Sequence, residues 1–115
     1  MKITFRSSKL KNAANKNDDR WLKKHYGKLR AEKIILRLNQ IRFANTLEDL
    51  RHMPGNYHEL KNERKGQWAC NLDQPYRMIF IPHEHPIPVN DDGQYIWSEI
   101  FGVEIIEIIN YHKGK

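Results

Sequence analysis

Gly66-Gln67-Trp68-Ala69-Cys70-Asn71-Leu72-Asp73-Gln74-Pro75-Tyr76-Arg77-Met78-Ile79-Phe80-Ile81 is the stretch on which the fold turns. Trp68, Cys70 and Leu72 recur at every second position, the period of a strand with one buried face. Asp73-Gln74-Pro75 breaks that pattern as a turn does, and residues 76–81 resume it. Two such runs around a short polar turn predict an antiparallel hairpin.

Beyond the hairpin, residues 82–94 are rich in Pro, His, Asn, Asp and Gly and predict a long loop. Residues 95–97 offer a short, loose pairing. Residues 101–112 predict a final long strand with Val103, Ile105 and Ile109 on one face and Ile106 and Ile108 on the other. Apolar residues on both faces predict an interior strand covered on both sides.

Upstream of the hairpin the period changes. Ile3 and Phe5 alternate in a short strand over residues 2–6. A helical spacing follows over residues 9–26, with a polar weak point at residues 15–19 and Gly27 as its stop. Over residues 28–43, Ala31, Ile34, Ile35, Leu38 and Ile41 form one apolar face at 3.6 spacing. Leu29, Leu36 and Phe43 repeat every seven residues on roughly the opposite face; a helix with two apolar faces is either sandwiched within its own domain, the expectation in a chain this small, or offers one face to a partner. Thr46 and Asp49 resemble a capping box that starts a short helix ending near Met53, and Pro54-Gly55-Asn56 is a turn. One strand, two long helices, a short helix and then three or more strands make an α+β domain.

A chain of 115 residues fits one domain, residues 1–115. The single cysteine, Cys70, excludes an internal disulfide framework and suits a reducing compartment. It falls on the buried face of the hairpin, as a small hydrophobe. Trp68, Ile79, Phe80, Ile105 and Ile109 complete the expected core. No apolar run approaches the ~20 residues of a membrane span, and residues 1–6 lack a signal-like apolar region, so a cytoplasmic protein is expected. The net charge of +6 is uneven: residues 1–65 hold 17 Lys/Arg against 7 Asp/Glu, whereas residues 66–115 hold 3 against 7. A positive field of that kind attracts nucleic acid or another anionic surface.

Three segments carry candidate chemistry: His58-Glu59-Leu60-Lys61-Asn62-Glu63-Arg64-Lys65, Pro75-Tyr76-Arg77 and Asn110-Tyr111-His112. Cleaving RNA through its own 2′-hydroxyl needs a base, an acid and fixed positive charge on the phosphate. Histidine suits either proton transfer, arginine matches the phosphate oxygens, and tyrosine can stack on a base. His58, Arg77, Tyr111 and His112 are therefore the candidate catalytic residues. Lys61, Arg64, Lys65 and Asn110 are the candidate RNA or phosphate contacts. This chemistry calls for no metal or other cofactor. His83-Glu84-His85 is the closest approach to a metal motif, and it lacks a third ligand at the usual spacing.

Taken in order, Asn45-Thr46-Leu47-Glu48-Asp49-Leu50-Arg51-His52, Pro54-Gly55, His58-Glu59-Leu60-Lys61, Arg64-Lys65-Gly66-Gln67-Trp68, Pro75-Tyr76-Arg77-Met78-Ile79-Phe80 and the closing run from Val103 to His112 resemble the HigB-type (plasmid-maintenance killer protein) branch of the RelE/ParE toxin superfamily. The resemblance implies a RelE-like domain, two helices packed on a twisted, mostly antiparallel sheet of four to five strands. It implies a toxin of a type II toxin–antitoxin pair, a ribosome-dependent endoribonuclease acting on mRNA in the A site. It also implies a HigA-like helix-turn-helix antitoxin from the neighbouring gene. By similarity, His58, Lys61, Arg77, Tyr111 and His112 line the RNA site. The family tail is commonly Asp-Tyr-His, and this chain carries Asn110 at the first position, an amide that cannot act as a base. The alternative is a non-catalytic toxin or interaction module that binds gyrase, ribosome or antitoxin, since ParE-type relatives poison gyrase on the same fold.

Overall fold

The computed structural model describes residues 1–111. The hairpin is formed by β3 (Trp68–Asn71) and β4 (Tyr76–Pro82), antiparallel, with Trp68 opposite Phe80 and Asn71 opposite Arg77. The other strands are β1 (Lys2–Phe5), β2 (His58–Glu59) and β5 (Gly102–Asn110). Together they make one five-stranded sheet in the order β1-β5-β4-β3-β2. The sheet is mixed: three neighbouring pairs are antiparallel, and β1 runs parallel to β5.

Three α-helices precede β2, where the sequence predicted two long ones. The polar stretch at residues 15–19 breaks the first outright. α1 (Ser8–Asn15) ends there, Asn17 takes a left-handed φ of 51°, and α2 (Asp19–Tyr26) begins afresh. The Asp18 carboxylate accepts from the Trp21 N–H at 3.0 Å and so caps the new helix. α3 (Lys28–Phe43) follows Gly27 and buries Ala31, Ile34, Leu38 and Ile41 as its spacing requires. Leu29, Leu36 and Phe43 lie on its outer side, with Phe43 87 % exposed. The short helix is a 3₁₀ helix, Leu47–Leu50, and the Asp49 carboxylate accepts from the Asn45 N–H at 2.8 Å. Residues 95–97 contribute one isolated bridge, Tyr95 to Val89, and then a 3₁₀ helix at Trp97–Glu99.

The helices cover one face of the sheet. The main core joins Leu10, Leu22, Ile34, Leu38 and Ile41 to Trp68, Cys70, Met78, Phe80, Val103 and Ile105. The other face has only a small cluster of Leu60, Ala69 and Ile79, with Ile106, Ile109 and Tyr111 partly buried against it. β5 is thus interior in the sheet order but not covered equally on both sides.

Its alternation also fails. The register with β4 slips between Ile79 and Phe80, which face Glu107 and Ile105, so Ile106 is an extra, bulged residue. The bulge turns Ile108 toward the helices and Ile109 toward the open face. Ile109 is therefore half-buried on the side opposite Ile105, whereas simple alternation had put both in one core.

Cys70 is fully buried, and burial pushes its thiol up to about 12 from an ordinary 9.0, against the opposing pull of the Arg37 charge. Its folded value lies above its unfolded one. The stability it contributes is complete below pH 9 and is lost as pH climbs toward 12. The melting temperature of the parent should fall more steeply over that window than that of Cys70→Ala. Parallel curves would show that Cys70 ionises freely in the folded protein.

Candidate active site on the open face of the sheet

Arg77 is the second residue of β4, placed by the register opposite Asn71 and Ile109 on the face without helices. Its guanidinium carbon lies 4.0 Å from the centre of the Tyr111 ring. Its Nη1 lies 3.4 Å from His58 Nε2. Arg77 therefore bridges His58 and Tyr111, which stand at opposite ends of the sequence's candidate set. Its Nε is out of solvent and has no hydrogen-bond partner among the described residues. Leu60, Ala69 and Ile79 form a small apolar cluster on this face, and Tyr111 packs against it.

The state of His58 follows from its neighbours. Its Nδ1 lies 2.7 Å from the Asn56 carbonyl, which can only accept, so Nδ1 carries the proton. Arg77 can only donate, so Nε2 presents a lone pair. An Nε2 that presents its lone pair beside a guanidinium can take a proton from a hydroxyl held at the phosphate.

The turn that supplies the Asn56 carbonyl is itself held from below. Arg37, only 6 % exposed, projects from the inner face of α3. Its Nε donates to the Asn71 carbonyl at 2.7 Å, and its Nη1 lies 3.4 Å from the Pro54 carbonyl. Gln40 also donates to the Pro54 carbonyl, at 2.9 Å, and the Tyr57 hydroxyl donates to Gln40 at 2.8 Å. Gly55 sits over the Arg37 guanidinium with φ at +121°, and a Cβ there would stand 2.9 Å from Arg37 Nε. No side chain fits between turn and guanidinium, which is why glycine occupies the position.

Sequence reasoning passed over Arg37. Its signal was present, since position 37 follows Ile34 by three and precedes Ile41 by four on the buried face. Arg37→Ala leaves the part-buried Asn71 carbonyl without its side-chain donor, leaves the Pro54 carbonyl to Gln40 alone, and opens a void under the turn. It should cost about 3 kcal/mol in urea unfolding, in line with hydrogen bonds to a charged group. A cost below about 1 kcal/mol would mean that Gln40 alone holds the turn.

The remaining candidates separate. Arg64 donates to Glu107 at 2.6 Å and to Gln67 at 2.8 Å, so a phosphate must compete with a carboxylate for it. Glu107 lies beside Ile79 on the open face, and the ion pair ties the turn after β2 to β5. Lys61 and Lys65 are exposed and line a neighbouring cleft of about 810 Å³ with Asn90, Gln94, Tyr95 and Trp97. Asn110 pairs with Tyr76, on the sheet face opposite Arg77. His112 lies outside the described residues.

His83 and Glu84 serve the scaffold. His83 Nε2 lies 2.8 Å from the Thr4 hydroxyl, and its ring packs on Gly102, where a Cβ would stand 2.4 Å from Nδ1. Glu84 accepts from the Phe101 N–H at 2.9 Å. Among the described residues no three His, Cys, Asp or Glu side chains converge as a metal site would need.

No protein-family model matches the chain, and no curated protein matches it. Among solved structures it is similar to a YoeB/ParE toxin from Agrobacterium tumefaciens, at 17 % identity and a TM-score of 0.49, over 94 % of this chain and 95 % of that one. No described helix is long and apolar enough to cross a membrane.

Proposed function

We propose that this protein is the toxin of a type II toxin–antitoxin pair, of the HigB type, and that it cleaves mRNA on the ribosome without a metal. The observation that carries the reading is the meeting of His58, Arg77 and Tyr111 on the uncovered face of the sheet. In the proposed reaction the RNA phosphate draws Arg77 off His58, whose contact at 3.4 Å is long for a hydrogen bond. His58 Nε2 then takes the 2′-hydroxyl proton. The 2′-oxygen attacks phosphorus, the bond to the 5′-oxygen breaks, and a 2′,3′-cyclic phosphate forms. Arg77 neutralises the charge that builds on the phosphate, and its Nε, without a hydrogen-bond partner among the described residues, becomes a further donor once the side chain is drawn off His58. Tyr111 stacks on a base beside the scissile bond, and His112 returns a proton to the 5′-oxygen. Lys61 and Lys65 take the phosphates next along the strand, Arg64 holds the turn that carries them, and Asn110 steadies the tail.

Induction of the protein in growing bacteria, followed by mapping of message 5′ ends, tests this. New ends inside translated frames are expected, absent when Arg77→Ala is induced.

The second reading, a non-catalytic toxin that binds gyrase, ribosome or antitoxin, is favoured by the exposed row of Leu29, Leu36 and Phe43. It requires growth arrest to survive Arg77→Ala. Both readings call for an antitoxin encoded next door, HigA-like in the first. Co-expression of the two should give a complex and restore growth.

A further inference from the structure

Arg37 lies on the helix side of the sheet and His58 and Arg77 on the other, yet its one guanidinium holds the backbone beside each. Its Nε donates at 2.7 Å to the carbonyl of Asn71, the residue that β3 pairs with Arg77. Its Nη1 lies 3.4 Å from the carbonyl of Pro54, two residues before the Asn56 carbonyl that meets His58 Nδ1. The Asn71 N–H donates to the Gly55 carbonyl at 2.7 Å, so the turn is also tied directly to the end of β3. Among the described residues no ion pair uses Arg37. Its partners are these two carbonyls and the Gln40 amide oxygen, at 3.4 Å. Burying a charge without a carboxylate is costly, so filling space does not explain a guanidinium here. What the planar fork adds is direction, since it holds two carbonyls on two segments at one spacing.

We propose that Arg37 is a positioning residue for the reaction: through the turn at residues 54–56 and the Asn71 backbone it fixes the tautomer of His58 and the spacing of His58 from Arg77. A shift of the turn takes the Asn56 carbonyl away from Nδ1, and the ring proton is then free to move to Nε2, the nitrogen that must accept. Arg77 has only donors, so an N–H at Nε2 turns it away. One displacement thus disables both groups. Gly55 belongs to the same device. Its φ is +121°, and a Cβ there would stand 2.9 Å from Arg37 Nε and 3.1 Å from the Tyr57 ring, so a side chain at 55 pushes the turn off the guanidinium. The effect on rate rests on the reading of His58 as the base, whereas its tautomer can be observed without RNA.

The test compares Arg37→Lys and Gly55→Ala with the parent in two measurements on the full chain. One is the ring ¹⁵N spectrum of His58 at a pH where the ring is neutral, and the other is single-turnover cleavage on programmed ribosomes. A lysine keeps the charge but can serve only one of the two carbonyls, and Gly55→Ala displaces the turn with Arg37 still in place. The parent should show Nδ1–H alone. Both variants, with folding confirmed by circular dichroism, should show a fraction of Nε2–H and cleave about 10²-fold more slowly, as a misplacement of about 1 Å does. The loss should fall on kcat and leave ribosome association unchanged. Ile34→Val, which trims the buried face of α3 one turn away, should lower the melting temperature but keep the parent tautomer and rate. Parent tautomers in both variants would overturn the proposal, and so would a parent rate in a variant whose tautomer has shifted, or an Ile34→Val rate as slow as theirs. A parent that cuts no message, with a His58 tautomer that still answers to Arg37→Lys, would sink the cleavage reading and uphold the control of His58 by Arg37.

Discussion

His58→Ala is expected to lower the single-turnover rate of message cleavage by about 10²–10⁴-fold, the range for removing a general base. The tautomer of His58 sets this expectation. The Asn56 carbonyl fixes the proton on Nδ1, which leaves Nε2 as the one ring nitrogen able to accept. His58→Gln separates this role from simple bridging. A glutamine carbonyl can still accept from Arg77 but cannot carry a proton through the reaction. His58→Gln should therefore be as slow as His58→Ala. Near-parent activity in His58→Gln would reduce His58 to a support for Arg77.

Arg77→Ala should slow cleavage by about 10²–10³-fold, as loss of a fixed donor to a developing oxyanion does elsewhere. Arg77→Lys should recover only part of the loss. A lysine restores the charge but not the planar fork, nor the stacking on Tyr111 that holds the guanidinium in place. The loss should fall on kcat more than on substrate binding, because the charge that Arg77 meets grows only in the transition state. A change confined to binding would recast Arg77 as one phosphate contact among several.

Much of this was legible in the sequence because it is local. The alternation around Trp68 and Cys70 marks the hairpin and the 3.6 spacing from Ala31 to Ile41 marks α3, whereas each of the three site segments is a weak signal alone and gains weight only beside the others. What could not be read depends on partners distant in the chain. The bulge at Ile106 arises from how β5 pairs with β4, and it reverses the faces of Ile108 and Ile109 without a local signal. Glu107 captures Arg64 across 43 positions of sequence. The parallel pairing of β1 with β5 joins residues about a hundred positions apart, a contact no period can announce. Arg37 looked like one more helical cation, and only the turn folded over it shows why it is buried.

If His58 and Arg77 promote attack by the RNA's own 2′-hydroxyl, as proposed, the end chemistry of a message cut by the purified protein on programmed ribosomes reports it. A 2′,3′-cyclic phosphate on the upstream fragment and a 5′-hydroxyl on the downstream fragment are expected, with both lost in Arg77→Ala and His58→Ala. An uncut message, or a 5′-phosphate on the downstream fragment, would contradict the account.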